Sequence, residues 1–101
     1  MEIELTNSNF EQEVLHSDVP VLVEFWAEWC ARCRQLIPII DEVSKIVTNL
    51  KIGKVNAEKE TELCDNYNVM SVPTLILFKD GSEIKRTTGF QNKESLLGLV
   101  S

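Results

Sequence analysis

Residues 21–33, VLVEFWAEWCARC, place the tightest constraint on what this chain can fold into. Val21–Trp26 is an apolar, β-branched and aromatic run of strand length. The segment opening at Cys30 has helical spacing, so Cys30 and Cys33 sit where a strand hands over to a helix. A thiol in the first turn of a helix sees unpaired backbone N–H groups and the positive end of the helix dipole, and both favour the thiolate. Cys30 is therefore expected to be the reactive cysteine. Cys33 lies about one turn further on, within reach of the Cys30 sulfur. A bridge between them closes so short a loop that it can form and break without disturbing the fold.

Composition narrows the class. With 101 residues and 44% hydrophobic content, residues 1–101 read as one domain able to bury its own core. A net charge of −6 argues against an electrostatic nucleic-acid footprint and against adhesion to an anionic membrane. No apolar run approaches spanning length, and Met1–Leu5 lacks the basic and apolar parts of a signal peptide, so a cytoplasmic protein is expected. Three cysteines, an odd number, speak against a secreted disulfide framework and for redox or metal chemistry in a reducing compartment.

Taken in order, Glu2–Leu5 alternates as a short strand. Ser8 with Glu11 is a capping-box pattern that predicts a helix over Asn9–His16, with Phe10 and Val14 on its inner face. His16 reads as a surface residue without function. Ser17–Pro20 breaks the chain ahead of the Val21 strand. Leu36, Ile40, Val43, Val47 and Leu50 form the stripe of a long helix, in which Pro38 removes one hydrogen bond and predicts a kink. A strand is expected at Lys51–Asn56 and a short helix at Leu63–Tyr67, ended by Asn68 in the left-handed conformation. Thr74–Lys79 and Ser82–Thr87 form a hairpin through Asp80-Gly81, Gly89 ends it, and Asn92 caps a last helix carrying Leu96, Leu97 and Val100. This order predicts a mixed α/β sheet, parallel through its early crossovers, with the hairpin adding antiparallel edge strands. Glu24 shares its strand face with Leu22 and Trp26, so its carboxyl points into apolar surroundings that should raise its pKa. Trp26 is expected in the core, Trp29 exposed, Cys64 buried as a small hydrophobe, and Met70 either at a rim or packed.

The chain resembles the thioredoxin family over nearly its full length. The resemblance is carried by FWAEWC with the second cysteine of a C-x-x-C, PIIDEV in the long helix, VPTLILFKDG, and TTGF before the last helix. It implies the thioredoxin fold, a central mixed five-stranded sheet flanked by four helices, with a cis Val72–Pro73 bond against the two sulfurs. It also implies a protein-disulfide reductase without bound cofactor, working through a Cys30–Cys33 dithiol and itself re-reduced by a thioredoxin reductase. By resemblance Glu24, standing where the family has aspartate, takes the proton of Cys33, and Lys54 matches the family's neighbouring lysine. A structural Glu24 paired with Lys54 is the alternative. Ala31 and Arg32 replace the family's glycine and proline, and an Arg32 guanidinium near the Cys30 sulfur would make the couple more oxidising. Trp29, Val72, Pro73, Gly89 and Phe90 are the expected docking surface for disulfide-containing protein substrates. A monomer is expected. Two rival classes stand beside this reading. A zinc site would need a second C-x-x-C or a histidine at ligand spacing, and neither is present. A non-catalytic protein-binding module would use the same groove without turnover.

Overall fold

In the computed structural model, which describes residues 2–101, the strands are β1 (Glu2–Leu5), β2 (Val21–Trp26), β3 (Lys51–Asn56), β4 (Thr74–Lys79) and β5 (Ser82–Thr88). The helices are α1 (Ala31–Ile46), α2 (Thr61–Asn66) and α3 (Lys93–Val100). One sheet in the order β1-β3-β2-β4-β5 joins the strands, parallel from β1 through β3 to β2 and antiparallel from β2 through β4 to β5. The mixed five-stranded sheet of the thioredoxin fold is thus present. Of the expected hairpin edge strands only β5 is at an edge, because β4 pairs with β2 as well.

Side-chain parity along β2 divides the interior. Val21, Val23 and Phe25 pack with Leu5, Val55, Ile76 and Phe78 beneath Phe10, Val14 and Leu63. Leu22 packs with Ile52 and Leu75 beneath Leu36, Ile40 and Val43 of α1 and Leu96 of α3. A strand covered on both faces reads as a continuous apolar run rather than an alternation, which is why 21–26 carries one polar residue, Glu24. The long-helix stripe is borne out as far as Val43; α1 ends at Ile46, and Val47 and Leu50 pack against the same core from beyond its end. Pro38 lies inside α1.

The first helix departs from expectation. Residues 11–15 form a π-helical segment, so the described residues hold three α-helices and this short turn rather than four comparable helices. The capping box does not form. Asn9 Oδ1 accepts the Thr6 N–H at 2.7 Å, and the Ser8 hydroxyl pairs with that of Thr6 at 2.9 Å. Asn9 therefore closes the turn locally, a competition open to any Asx or Ser side chain near the backbone. Phe10 and Val14 are nevertheless buried, and the Phe10, Tyr67 and Phe78 rings meet at 5.2–5.7 Å between centroids. The other turn signals are borne out. Asn68 and Asp80 take positive φ (54° and 53°), Gly81 and Gly89 follow suit, and Asn92 Oδ1 accepts the Ser95 N–H at 2.8 Å.

Gly53 is demanded by packing. A Cβ there would stand 2.8 Å from Leu5 Cγ, whose side chain is fixed in the core. Gly53→Ala is expected to cost about 1–3 kcal/mol through overpacking, read as a lower urea midpoint, and Leu5→Val in the same chain should recover part of the loss.

Candidate functional site

The site lies where β2 ends and β4 begins. Antiparallel pairing sets Phe25 opposite Thr74, so the residues after β2 and before β4 arrive at the same end of the sheet. Cys30 is the N-cap of α1 and its sulfur accepts the Cys33 N–H at 3.1 Å. The two cysteines are joined as a disulfide with their Cα atoms 5.3 Å apart. Ala27, Cys30 and Cys33 form a small buried cluster against which Trp26 and Val72 pack, and the Val72–Pro73 bond is cis. Cys30 and Cys33 are equally covered, at 4% and 3% exposed. What separates them is their surroundings: a helix start at Cys30, and a carboxyl-lined cleft at Cys33.

That cleft has a volume of about 240 Å³ and is lined by Glu24, Trp26, Ala27, Cys33, Arg34 and Lys54, among others. Glu24 is 1% exposed. Among the described residues no donor reaches its Oε2. Burial pushes its carboxyl from 4.5 up to about 7, against the pull of the Lys54 ammonium and with a small further push from Glu2. The expectation of a raised carboxyl is borne out. A structural Glu24–Lys54 ion pair is not what forms: Lys54 is the cross-strand neighbour of Glu24, yet among the described residues its ion partner is Glu2, 3.1 Å away. Sequence reasoning missed Glu2. Its signal is parity, since Glu2 and Glu4 share one face of β1, but that becomes useful only once β1 is known to pair with β3.

A second groove, of about 280 Å³, meets the first at Ala27 and is lined by Trp29, Ala57, Cys64, Met70, Ser71 and Val72, among others. Trp29 is 68% exposed, as expected, and Met70, at 96%, is a rim residue. Cys64 is half-buried and borders this groove rather than lying sealed in the core, and Trp26 is likewise half-buried because β2 ends at the first cleft. Burial raises the Cys64 thiol above its ordinary pKa, with Asp65 adding to the effect. Gly89 donates its N–H to the Pro73 carbonyl at 2.8 Å, which ties the loop bearing the exposed Phe90 to the cis proline. Arg32, two residues after Cys30 in the first turn of α1, is exposed. Its guanidinium lies 5.8 Å over the Phe90 ring, a cation–π contact, and donates to Gln35 Oε1 at 3.4 Å. Ala31 and His16 are exposed.

The sequence is similar to those of known proteins. A family model described as Thioredoxin matches residues 1–101. A protein named thioredoxin from Rickettsia prowazekii is 45% identical over 98 residues, covering 96% of this chain and 93% of its own. Another from Rickettsia bellii matches to the same extent. A protein named thioredoxin from Mycobacterium tuberculosis is 42% identical over 100 residues, covering 98% of this chain and 86% of its own.

Proposed function

The chain belongs to the thioredoxin family and is a protein-disulfide oxidoreductase, and we propose that it works as a reductase of protein disulfides recharged by a thioredoxin reductase. The observation that carries this reading is the Cys30–Cys33 disulfide at the start of α1 with an unpartnered buried carboxyl in the adjoining cleft. In the reduced protein the Cys30 thiolate, favoured by the helix N-terminus and the Cys33 N–H, attacks one sulfur of a substrate disulfide. A Cys30–substrate bond forms and the substrate's own S–S bond breaks, releasing its first thiolate. Cys33 then loses its proton to Glu24 and attacks Cys30 Sγ. The second substrate thiolate leaves, and two electrons have passed to the substrate. A carboxyl titrating near 7 populates both protonation states at neutral pH, which suits a base that must take a proton and later return it. Arg32 and Ala31 tune the couple, and Lys54 modulates Glu24.

Substrates dock on Trp29, Val72, Pro73, Gly89 and Phe90, with extended backbone laid beside the cis peptide. Residues 1–101 act as one domain, a monomer in the cytoplasm. The half-buried free thiol of Cys64 fits a reducing compartment. No helix among the described residues is long and apolar enough to cross a membrane. The proposal is tested by supplying the protein in catalytic amount to a disulfide-bonded protein with NADPH and a thioredoxin reductase. Multiple turnovers per molecule are expected, and reduction no faster than with the reductase alone would refute it.

Phe90 makes a narrower prediction. Phe90→Ala removes rim area and the platform of Arg32, so KM for a protein disulfide should rise roughly fivefold, typical of one truncated rim contact. The Cys30–Cys33 potential, read by equilibration with glutathione, should stay in place. An unchanged KM would reduce the ring to packing.

A further inference from the structure

Lys54 stands between two strands that each offer it a carboxylate. In register, Glu4 of β1, Lys54 of β3 and Glu24 of β2 lie in one row across the sheet, and Glu2 lies two residues before Glu4 on the same face. The ammonium has gone outward: Nζ is 3.1 Å from Glu2 Oε1, whereas Glu24 Oε2 has no partner among the described residues. Lys54, Trp26 and Glu2 also line a shallow cleft of about 230 Å³ that adjoins the Glu24 cleft through the shared Trp26 and Lys54.

We propose that Glu2 is a positioning residue for Glu24: its carboxylate holds the Lys54 ammonium at the outer edge of the sheet and so leaves the buried carboxyl free to exchange a proton with Cys33. The proposal rests on the acceptor role given to Glu24 above. Among the described residues no other cation near Glu24 is placed to substitute. Arg34, across the cleft on α1, donates its guanidinium to the Glu28 carbonyl at 2.8 Å. Glu28 and Glu4 add only negative charge, Cys33 is the redox sulfur, and β4 sets Leu75 directly opposite Glu24. Two carboxylates thus compete for one ammonium, and the exposed one holds it because its desolvation cost is smaller. The direction of the Glu24 titration agrees, being pulled down by Lys54 and pushed up by Glu2.

In Glu2→Gln the ammonium loses its outer partner and can turn to Glu24. The test is a titration of the Glu24 side-chain carboxyl by carbon-detected NMR in the oxidised full chain, with the pH profile of mixed-disulfide resolution measured in parallel. In Glu2→Gln the titration midpoint should fall by about one pH unit, as for a carboxylate gaining a cation neighbour, and the resolution profile should move to lower pH with it. Glu4→Gln should shift the midpoint less. In a Lys54→Met background, adding Glu2→Gln should move it much less than it does when Lys54 is present. An unmoved midpoint in Glu2→Gln, or an equal shift with and without Lys54, overturns the proposal. Failure of the acceptor role appears elsewhere, as an unchanged resolution rate in Glu24→Gln whatever the titrations do.

Discussion

Replacing Cys30 by serine is expected to lower protein-disulfide reduction by on the order of a thousandfold or more, because the attacking sulfur is the one group for which nothing nearby can stand in. Replacing Cys33 should cost as much turnover and leave a different trace. The first attack survives, the second sulfur is missing, and the Cys30–substrate bond persists. Cys33→Ser should therefore accumulate covalent adducts, seen on non-reducing gels and assigned by mass spectrometry to Cys30, while Cys30→Ser accumulates none. Exposure cannot be the reason for this asymmetry, since both residues are almost fully covered. It comes from the helix start: Cys30 Sγ accepts the Cys33 N–H and caps α1, while Cys33 opens toward Glu24. Adducts at Cys33 or Cys64 would reverse the assignment. Cys64 is the weaker competitor, since burial raises its thiol and keeps it protonated at neutral pH.

Glu24 should make the oxidised protein less stable as pH rises. Its carboxyl titrates near 7 in the folded chain against 4.5 ordinarily, so between those values the native state binds the extra proton and stability falls with pH. Below about 4.5 both states are protonated and the penalty is absent; above about 7 both are ionised and it is complete. The shift corresponds to about 3 kcal/mol. Urea unfolding of the parent and of Glu24→Gln at pH 5 and pH 8 isolates the term. The variant's stability relative to the parent should rise by about 2.5 kcal/mol between the two, since part of the penalty is already present at pH 5. A pH-independent difference would mean that Glu24 is not held neutral by burial.

Much of this was legible residue by residue. The ends of the Lys51–Asn56 and Thr74–Lys79 strands, the left-handed Asn68, the Asp80-Gly81 turn and the Asn92 cap follow from local chemistry, and the structure has them where expected. Glu24 was legible because strand parity settles which way a side chain points, and its neighbours Leu22 and Trp26 are apolar. What failed depended on choices the chain makes between equals or at long range. Ser8 and Asn9 both offer an oxygen to the turn, and Asn9 takes the Thr6 N–H while Ser8 pairs with the Thr6 hydroxyl. Lys54 could have met Glu24 or Glu2, and the outcome depends on β1 docking beside β3. The Arg32–Phe90 contact was out of reach of the sequence, since it depends on the loop bearing Phe90 being tied to Pro73. Cys64 and Trp26 are apolar enough for the core yet sit where clefts cut into it, a matter of shape rather than pattern.

The antiparallel register of β2 with β4 has a practical side. Val21 pairs with Phe78 and Phe25 with Thr74, so the Asp80-Gly81 turn and the cysteines occupy opposite ends of the sheet, separated by about 20 Å, the length of a six-residue strand. Lys79, exposed at the turn, is accordingly the point at which the protein can be anchored to a bead or a sensor chip with its disulfide facing the solution. Anchored there, one preparation could be cycled through oxidation and reduction and could fish for partners by the bond it forms with them.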